Sequence, residues 1–364
     1  MKMKYMISII LGLVFWMGCS DDENLSPSDV LEYEITLPQG EHEYDDRIVN
    51  WFDRTGVYLL YKFNPADAYF NVDQTWAEAY RDTSLVYTWY TFGEGDYVEN
   101  NTAYVDGVAY ELGISFKTDG SWFEYSIVDG KLLEVEASFK NSGTFSVQEA
   151  DEAYVGDQLA LLEELFLNFY PDSILHNYMP LKVLLGRELK RSAGTDLSYT
   201  SVFNNLILSH GDESITTLTV EKKKELKVDL HMWFINERLK EKLSFDEFFE
   251  AADYSWVGGS YSDRPAKNEC YGLGFVVWPS SYINLDIVQD EDLSAYLEMI
   301  IGNSYETLTA EPENGDYNAN DYTGILHLKK DVNEKIKERY DILIQEFKRL
   351  GVDLQAIGNR VVKN

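Results

Sequence analysis

The chain has 364 residues, with 31 Lys and Arg against 63 Asp and Glu, for a formal charge of −32. That balance excludes a nucleic-acid binder, which needs basic patches to neutralise phosphates, and a protein that lies flat on anionic lipid. A chain this long exceeds what one small core usually holds, so two domains are expected.

Lys2 and Lys4 precede an uncharged apolar run from Met6 to Trp16, followed by Met17, Gly18 and Cys19. A basic start, a short apolar run and a small residue before the cut make residues 1–18 a secretory signal. The run is too short to span a bilayer, which takes roughly 20 residues. Cys19 directly after glycine is the lipobox arrangement, in which the thiol takes a diacylglycerol and the freed amine a third chain. Several acyl chains anchor durably, because each buried methylene contributes about 0.8 kcal/mol. Ser20-Asp21-Asp22-Glu23-Asn24 resembles the acidic tag that sends Bacteroidetes-type lipoproteins to the outer face of the outer membrane. Residues 19–30 read as a flexible tether. With Cys19 lipidated only Cys270 remains, so no disulfide closes within the chain. Cys270 is expected to be a small packed residue.

Ile48 to Phe63 reads as a short helix running into a strand, and the adjacent Leu59 and Leu60 predict a strand covered on both faces. From Ser84 to Val147, aromatic and β-branched runs are separated by turn signals such as Asp106-Gly107 and Asp129-Gly130. These predict an antiparallel β-meander of five or six strands. Its aromatics, Tyr87, Trp89, Tyr90, Trp122, Phe123 and Tyr125, either fill a core or form a sugar-stacking face. From Asp157 the period turns helical, with Leu161, Leu162, Leu165, Phe166 and Phe169 on one stripe that ends at Tyr170-Pro171. Ile174 to Leu185 packs a second element, Phe203 to Ser209 is a strand, and Thr217 to Lys242 reads as one long helix. Leu273 to Pro279 is mostly apolar, Glu291 to Leu308 is helical, and Glu311 to Gly324 is a polar loop. Within that loop Asp316, Asn318 and Asn320 alternate like the opening of a calcium site. However, Asp321 replaces the turn glycine and His327 the bidentate glutamate, so a solvated acidic loop is expected. Val332, Ile336, Tyr340, Leu343, Phe347 and Leu350 make the last helix strongly amphipathic, and Gly351 stands where a left-handed cap belongs.

Several of these pieces, in this order, resemble the zinc-binding metallopeptidase lipoproteins of the Bacteroidetes type. The resemblance is carried by Tyr44-Asp45-Asp46-Arg47-Ile48 through Phe63, by Phe203-Asn204-Asn205-Leu206-Ile207-Leu208, and by Leu218-Thr219-Val220-Glu221 opening the long helix. Gly274-Phe275-Val276, Glu291 to Ala295 and Gly351-Val352-Asp353-Leu354 continue it. It implies an α+β fold: a zincin-like, mainly helical metallopeptidase scaffold with an inserted antiparallel β-meander. Residues 31–83 are then the N-terminal part of that domain, 84–150 the inserted β-rich domain and 151–364 the helical domain.

The resemblance also implies His-Glu-x-x-His on the long helix, two nitrogens on one face holding zinc and a glutamate activating its water. The matching stretch keeps His231, but Met232 stands at the base position and Ile235 at the second ligand. Methionine cannot accept a proton, and one imidazole cannot hold zinc. No catalytic residue and no cofactor are therefore expected. The weak metal candidates, should a site be rebuilt, are His231, His210 and Asp292. The reading is an inactive surface lipoprotein, membrane-bound through its lipid, that binds polypeptide or glycan and works with nutrient-uptake or envelope partners. The rivals are an active zinc peptidase with a non-standard site and a structural envelope protein.

Overall fold

The computed structural model describes residues 35–63, 83–116, 122–139, 145–191, 194–202, 205–319 and 321–363. The signal, Cys19 and the tether lie outside the described residues. From Pro38 onward the chain makes one compact unit.

Helix α1 (Glu43–Thr55) buries Ile48 and Trp51 on one stripe and carries Glu43, Asp45 and Asp46 in its first turn, where the helix dipole favours acids. Gly56 ends it, and strand β1 (Tyr58–Leu60) follows with both leucines buried. The next strands are β2 (Thr83–Thr91), β3 (Tyr97–Glu99), β4 (Thr102–Val105), β5 (Val108–Glu111), β6 (Gly113–Phe116), β7 (Trp122–Val128), β8 (Lys131–Phe139) and β9 (Phe145–Glu149). The predicted single meander is corrected here. β2, β8, β7 and β6 form one four-stranded sheet, β3, β4 and β5 a separate three-stranded one, and β9 joins a third sheet. The Asp-Gly turns fix the hairpins β4–β5 and β7–β8. By contrast β2 takes β8 as partner across more than forty residues, a pairing that no local signal encodes. Ala103 and Val105 of the small sheet pack on Leu132, with Tyr90, Tyr110 and Tyr125 around them.

Helices α2 (Val155–Leu165) and α3 (Asp172–Tyr178) lead into β10 (Lys182–Arg191), and the hairpin β11 (Tyr199–Val202) and β12 (Asn205–Leu208) follows. The central sheet runs β1-β10-β12-β11, with the first three strands parallel and β11 antiparallel; β9 pairs with the far half of β10. All four residues of β12 are buried, as suits a parallel strand covered on both faces.

The remainder is helical. Helix α4 (Val220–Phe234) is capped by Thr219 and passes into a π turn at Ile235–Leu239. Then come α5 (Asp246–Glu250), α6 (Cys270–Leu273), α7 (Leu285–Gly302), α8 (Tyr305–Thr309), α9 (Lys335–Arg349) and α10 (Leu354–Asn359). The predicted helix at Glu291 to Leu308 is thus two, broken where Ser304 caps α8. Val332 lies ahead of α9 and is exposed, outside the apolar stripe assigned to it. Gly351 has φ +80, as its cap position requires.

The fold is α+β, and its helical half is built around one ion pair. Arg339 of α9 and Asp292 of α7 are both fully buried and bonded through two nitrogens and both carboxylate oxygens. The same guanidinium donates to the carbonyls of Phe248 (3.2 Å) and Gly274 (2.7 Å) and to the Tyr254 hydroxyl (3.0 Å). Removing one partner of such a pair leaves an uncompensated buried charge, at about 3–5 kcal/mol. Asp292→Ala should therefore lower the urea-unfolding free energy by that amount, while Asp292→Leu combined with Arg339→Met should recover most of it. Equal losses in the single and double variants would show that the pair is not the source.

Candidate functional site

His231 sits in the last turn of α4, where the apolar face meets α2. It is completely buried. Its Nε2 donates to the carbonyl of Leu165 at 2.9 Å, and its Nδ1 accepts from the Tyr170 hydroxyl at 2.7 Å. Leu165 is the last residue of α2, so the imidazole satisfies one of the carbonyls that a helix end leaves without a partner. The rings of Phe166, Phe169 and Tyr170 close around it at 5.3–5.4 Å. Burial pushes the His231 pKa down to about 3, and the Lys227 ammonium adds to this, while the bond to Leu165 works the other way. Tyr170, also buried, has its pKa raised by the same desolvation and keeps the proton it donates.

Both nitrogens are thus engaged inside an aromatic shell, and the neighbours offer no replacement. Met232 is half-buried and Ile235 fully buried on the same helix. Among the described residues no three His, Cys, Asp or Glu side chains gather as a metal centre. Zinc does not fit these residues. Asp292, weighed above only as a weak metal candidate, is engaged by Arg339 through both of its oxygens. His42 caps α1 beside Asp45, and His176 bonds the Thr55 carbonyl. Cys270 is a packed residue whose thiol burial pushes up to about 11.

His210 keeps different company. It borders a cleft of about 360 Å³ with Glu188, Ser198, Asp212, Ser214 and Lys222. Its two nitrogens face the hydroxyls of Ser214 at 3.2 Å and Ser198 at 3.3 Å. Burial lowers its pKa, against the pull of Asp212 and Asp196. His210 (φ +70) and Glu188 (φ +51) both hold left-handed backbone without being glycine, which costs on the order of 1–3 kcal/mol each. Glu188 lies at the register shift of β10 against β9, a bulge of the kind that re-aims side chains. Among the described residues no carboxylate hydrogen-bonds this imidazole, the contact by which a catalytic triad orients its base. His210 and His231 have separate partners and do not combine into the rebuilt site that sequence reasoning weighed.

The six aromatics of the β-region divide by strand alternation. Tyr87 and Trp89 share one face of β2 and are exposed, Tyr90 points to the other face, and Trp122 is buried. Tyr90 and Tyr125 both donate to the Glu134 carboxylate, at 2.6 and 3.2 Å. They do not form one sugar-stacking platform.

No protein-family profile matches the chain, and no curated protein matches it. Among solved structures, a crystal structure of a candidate zinc-binding metallo-peptidase from Bacteroides caccae superposes with a TM-score of 0.37 at 13% identity, over 57% of this chain and 76% of that one. A likeness at that level leaves the chemistry of this chain to its own residues.

The His231 geometry makes stability depend on pH with a definite sign. The ordinary imidazole pKa of 6.5 applies to the unfolded chain, while the native value is about 3. Stability is then complete above pH 6.5 and falls as pH drops toward 3, by about 1.4 kcal/mol per unit. Between pH 7.5 and pH 5, wild type should lose about 2 kcal/mol more than His231→Gln in urea unfolding. Parallel profiles would show that the imidazole titrates in the native state.

Proposed function

We propose that the protein is a lipoprotein of the outer membrane, exposed at the cell surface and anchored through Cys19, that binds polypeptide or glycan without cleaving it. Its scaffold is of metallopeptidase type with the zinc chemistry lost. The observation that carries the reading is His231, the one residue kept from the metal motif, whose two nitrogens serve Leu165 and Tyr170. A ligand turned structural is what loss of the metal leaves behind. The acidic surface and the polar stretch after Cys19 suit a protein held off a membrane by a tether. Among the described residues no helix is long and apolar enough to cross a membrane, so the lipid is the proposed attachment. Exposed aromatics on β2 supply a surface for a ligand. Nutrient-uptake or envelope proteins are the expected partners.

Purified mature protein should contain less than about a tenth of an equivalent of zinc after dialysis and should release no fragments from casein. Stoichiometric zinc that disappears with His231→Ala would replace this reading with that of an active peptidase. In cell fractionation, Cys19→Ala should move the protein out of the membrane pellet; retention there would refute the lipid anchor. Failure of the full chain to bind any member of peptide and glycan arrays would favour the purely structural role.

A further inference from the structure

Strand β2 is an edge without the usual guards. It pairs with β8 along its whole length, from Thr83↔Phe139 to Thr91↔Lys131, and stands last in the order β2-β8-β7-β6. Among the described residues no strand pairs with its outer side. Natural edges are blunted by lysine, proline, bulges or shortness. β2 is nine residues long, has an unbroken register and contains no charged residue and no proline. The opposite edge, β6, has only four residues and starts at Gly113 with φ +116. Large apolar side chains stand exposed on both faces of β2: Val86 at 59%, Tyr87 at 56% and Trp89 at 51%.

Charge decides what such an edge accepts. Described residues 83–139 hold nine carboxylates and a single base, Lys131. Glu136 lies exposed on β8 directly across from Val86, and Glu94 is exposed in the turn after β2. A second copy of the chain would set this field against itself, since like charges facing one another are unfavourable. An anionic lipid surface is repelled for the same reason. A cationic chain is drawn in, and the Tyr87 and Trp89 rings can receive its ammonium or guanidinium groups on their faces.

We propose that β2 is a docking edge for an extended basic polypeptide, added as a fifth strand in the antiparallel sense of every pairing in this sheet, with alternate residues apolar and Lys or Arg. Main-chain hydrogen bonds to the outer side of β2 give the strand its affinity, and the carboxylates choose its charge. This rests on the reading of the protein as a binder and names which of its two ligand classes it takes.

The test uses the full mature chain with Cys19→Ala and four fluorescent nine-residue peptides, followed by anisotropy. One alternates Lys and Val, one alternates Glu and Val, and two are the Lys/Val peptide N-methylated at every odd or every even residue. Binding of the Lys/Val peptide is expected, with none of Glu/Val. One N-methyl register should bind at least about tenfold more weakly than the other, because only one places its methyls against β2. Trp89→Ala and Tyr87→Ala, both at exposed positions, should weaken binding several-fold with unchanged circular dichroism, and Thr88→Lys should block it. Equal binding of both N-methyl registers would mean attraction by charge alone and would overturn the proposal. So would binding of Glu/Val, dimerisation through β2 detected by sedimentation and lost in Thr88→Lys, or no peptide binding at all. Glycan binding without peptide binding sinks this inference and leaves the binder reading standing. Zinc-dependent cleavage of the peptide sinks the binder reading itself.

Discussion

A guanidinium shut away from water must find its five acceptors inside the protein, and Arg339 sets the positions of everything that supplies them. Those groups come from α5 through Phe248, from the cap of α6 through Gly274, from α7 through Asp292, and from Tyr254 between them. The Phe248 ring lies 3.9 Å from the guanidinium carbon, and the Tyr296 ring 4.7 Å from it. Tyr296 also donates to the Gly274 carbonyl that Arg339 uses. Desolvating each ion costs several kcal/mol, so the pair is tolerable only with its geometry and outer bonds complete. Gly274 is bound by the same demand. It has φ +89, and a Cβ there would lie 3.2 Å from Cβ of Lys335 and 3.4 Å from Cδ of Arg339. The helices of this half are thus placed by a polar centre as much as by their apolar faces.

Much of this was legible in the sequence at the level of single elements. The spacing of Ile336, Tyr340, Leu343 and Phe347 gives α9, whereas the long helix expected from Thr217 starts only at Val220, because Thr217 ends a separate short turn and Thr219 is the cap. Arg339 was not read from the sequence, although it stands three residues after Ile336 and four before Leu343, inside the apolar stripe; its acid, Asp292, was weighed as a metal candidate instead. That the long helix carries no His-Glu-x-x-His was plain from Met232 and Ile235. The partners of His231 were not, because they depend on where α2 ends in space. The Asp-Gly turns located hairpins correctly, yet the split into separate sheets follows from the long-range pairing of β2 with β8, which turn chemistry does not reach. The left-handed Glu188 and His210 carry no sequence mark, since glycine, asparagine and aspartate are the residues that advertise that backbone, as at Asp106 and Asp129.

The two interesting histidines show how burial assigns roles. His231 is shut away from solvent and is a fixed hydrogen-bonding part, neutral at any physiological pH. His210 kept a cleft and two hydroxyl neighbours on strained backbone, yet no carboxylate contacts its ring. Among the described residues neither imidazole belongs to a group of three or more His, Cys, Asp or Glu side chains that could hold a metal ion.

Surface charge completes the picture, because it substitutes for the missing edge guards. Lysines along an edge strand keep other strands away locally and from any chain. A carboxylate field acts over roughly a Debye length, about 8 Å at physiological ionic strength, and discriminates by sign. Under the docking proposed for β2, such a field would disfavour an identical copy and favour a cationic chain. An edge protected by proline or a bulge would be closed to every partner. An edge protected only by charge is closed to its own kind and to acidic chains, which is the selectivity that the proposed docking of a basic strand on β2 requires.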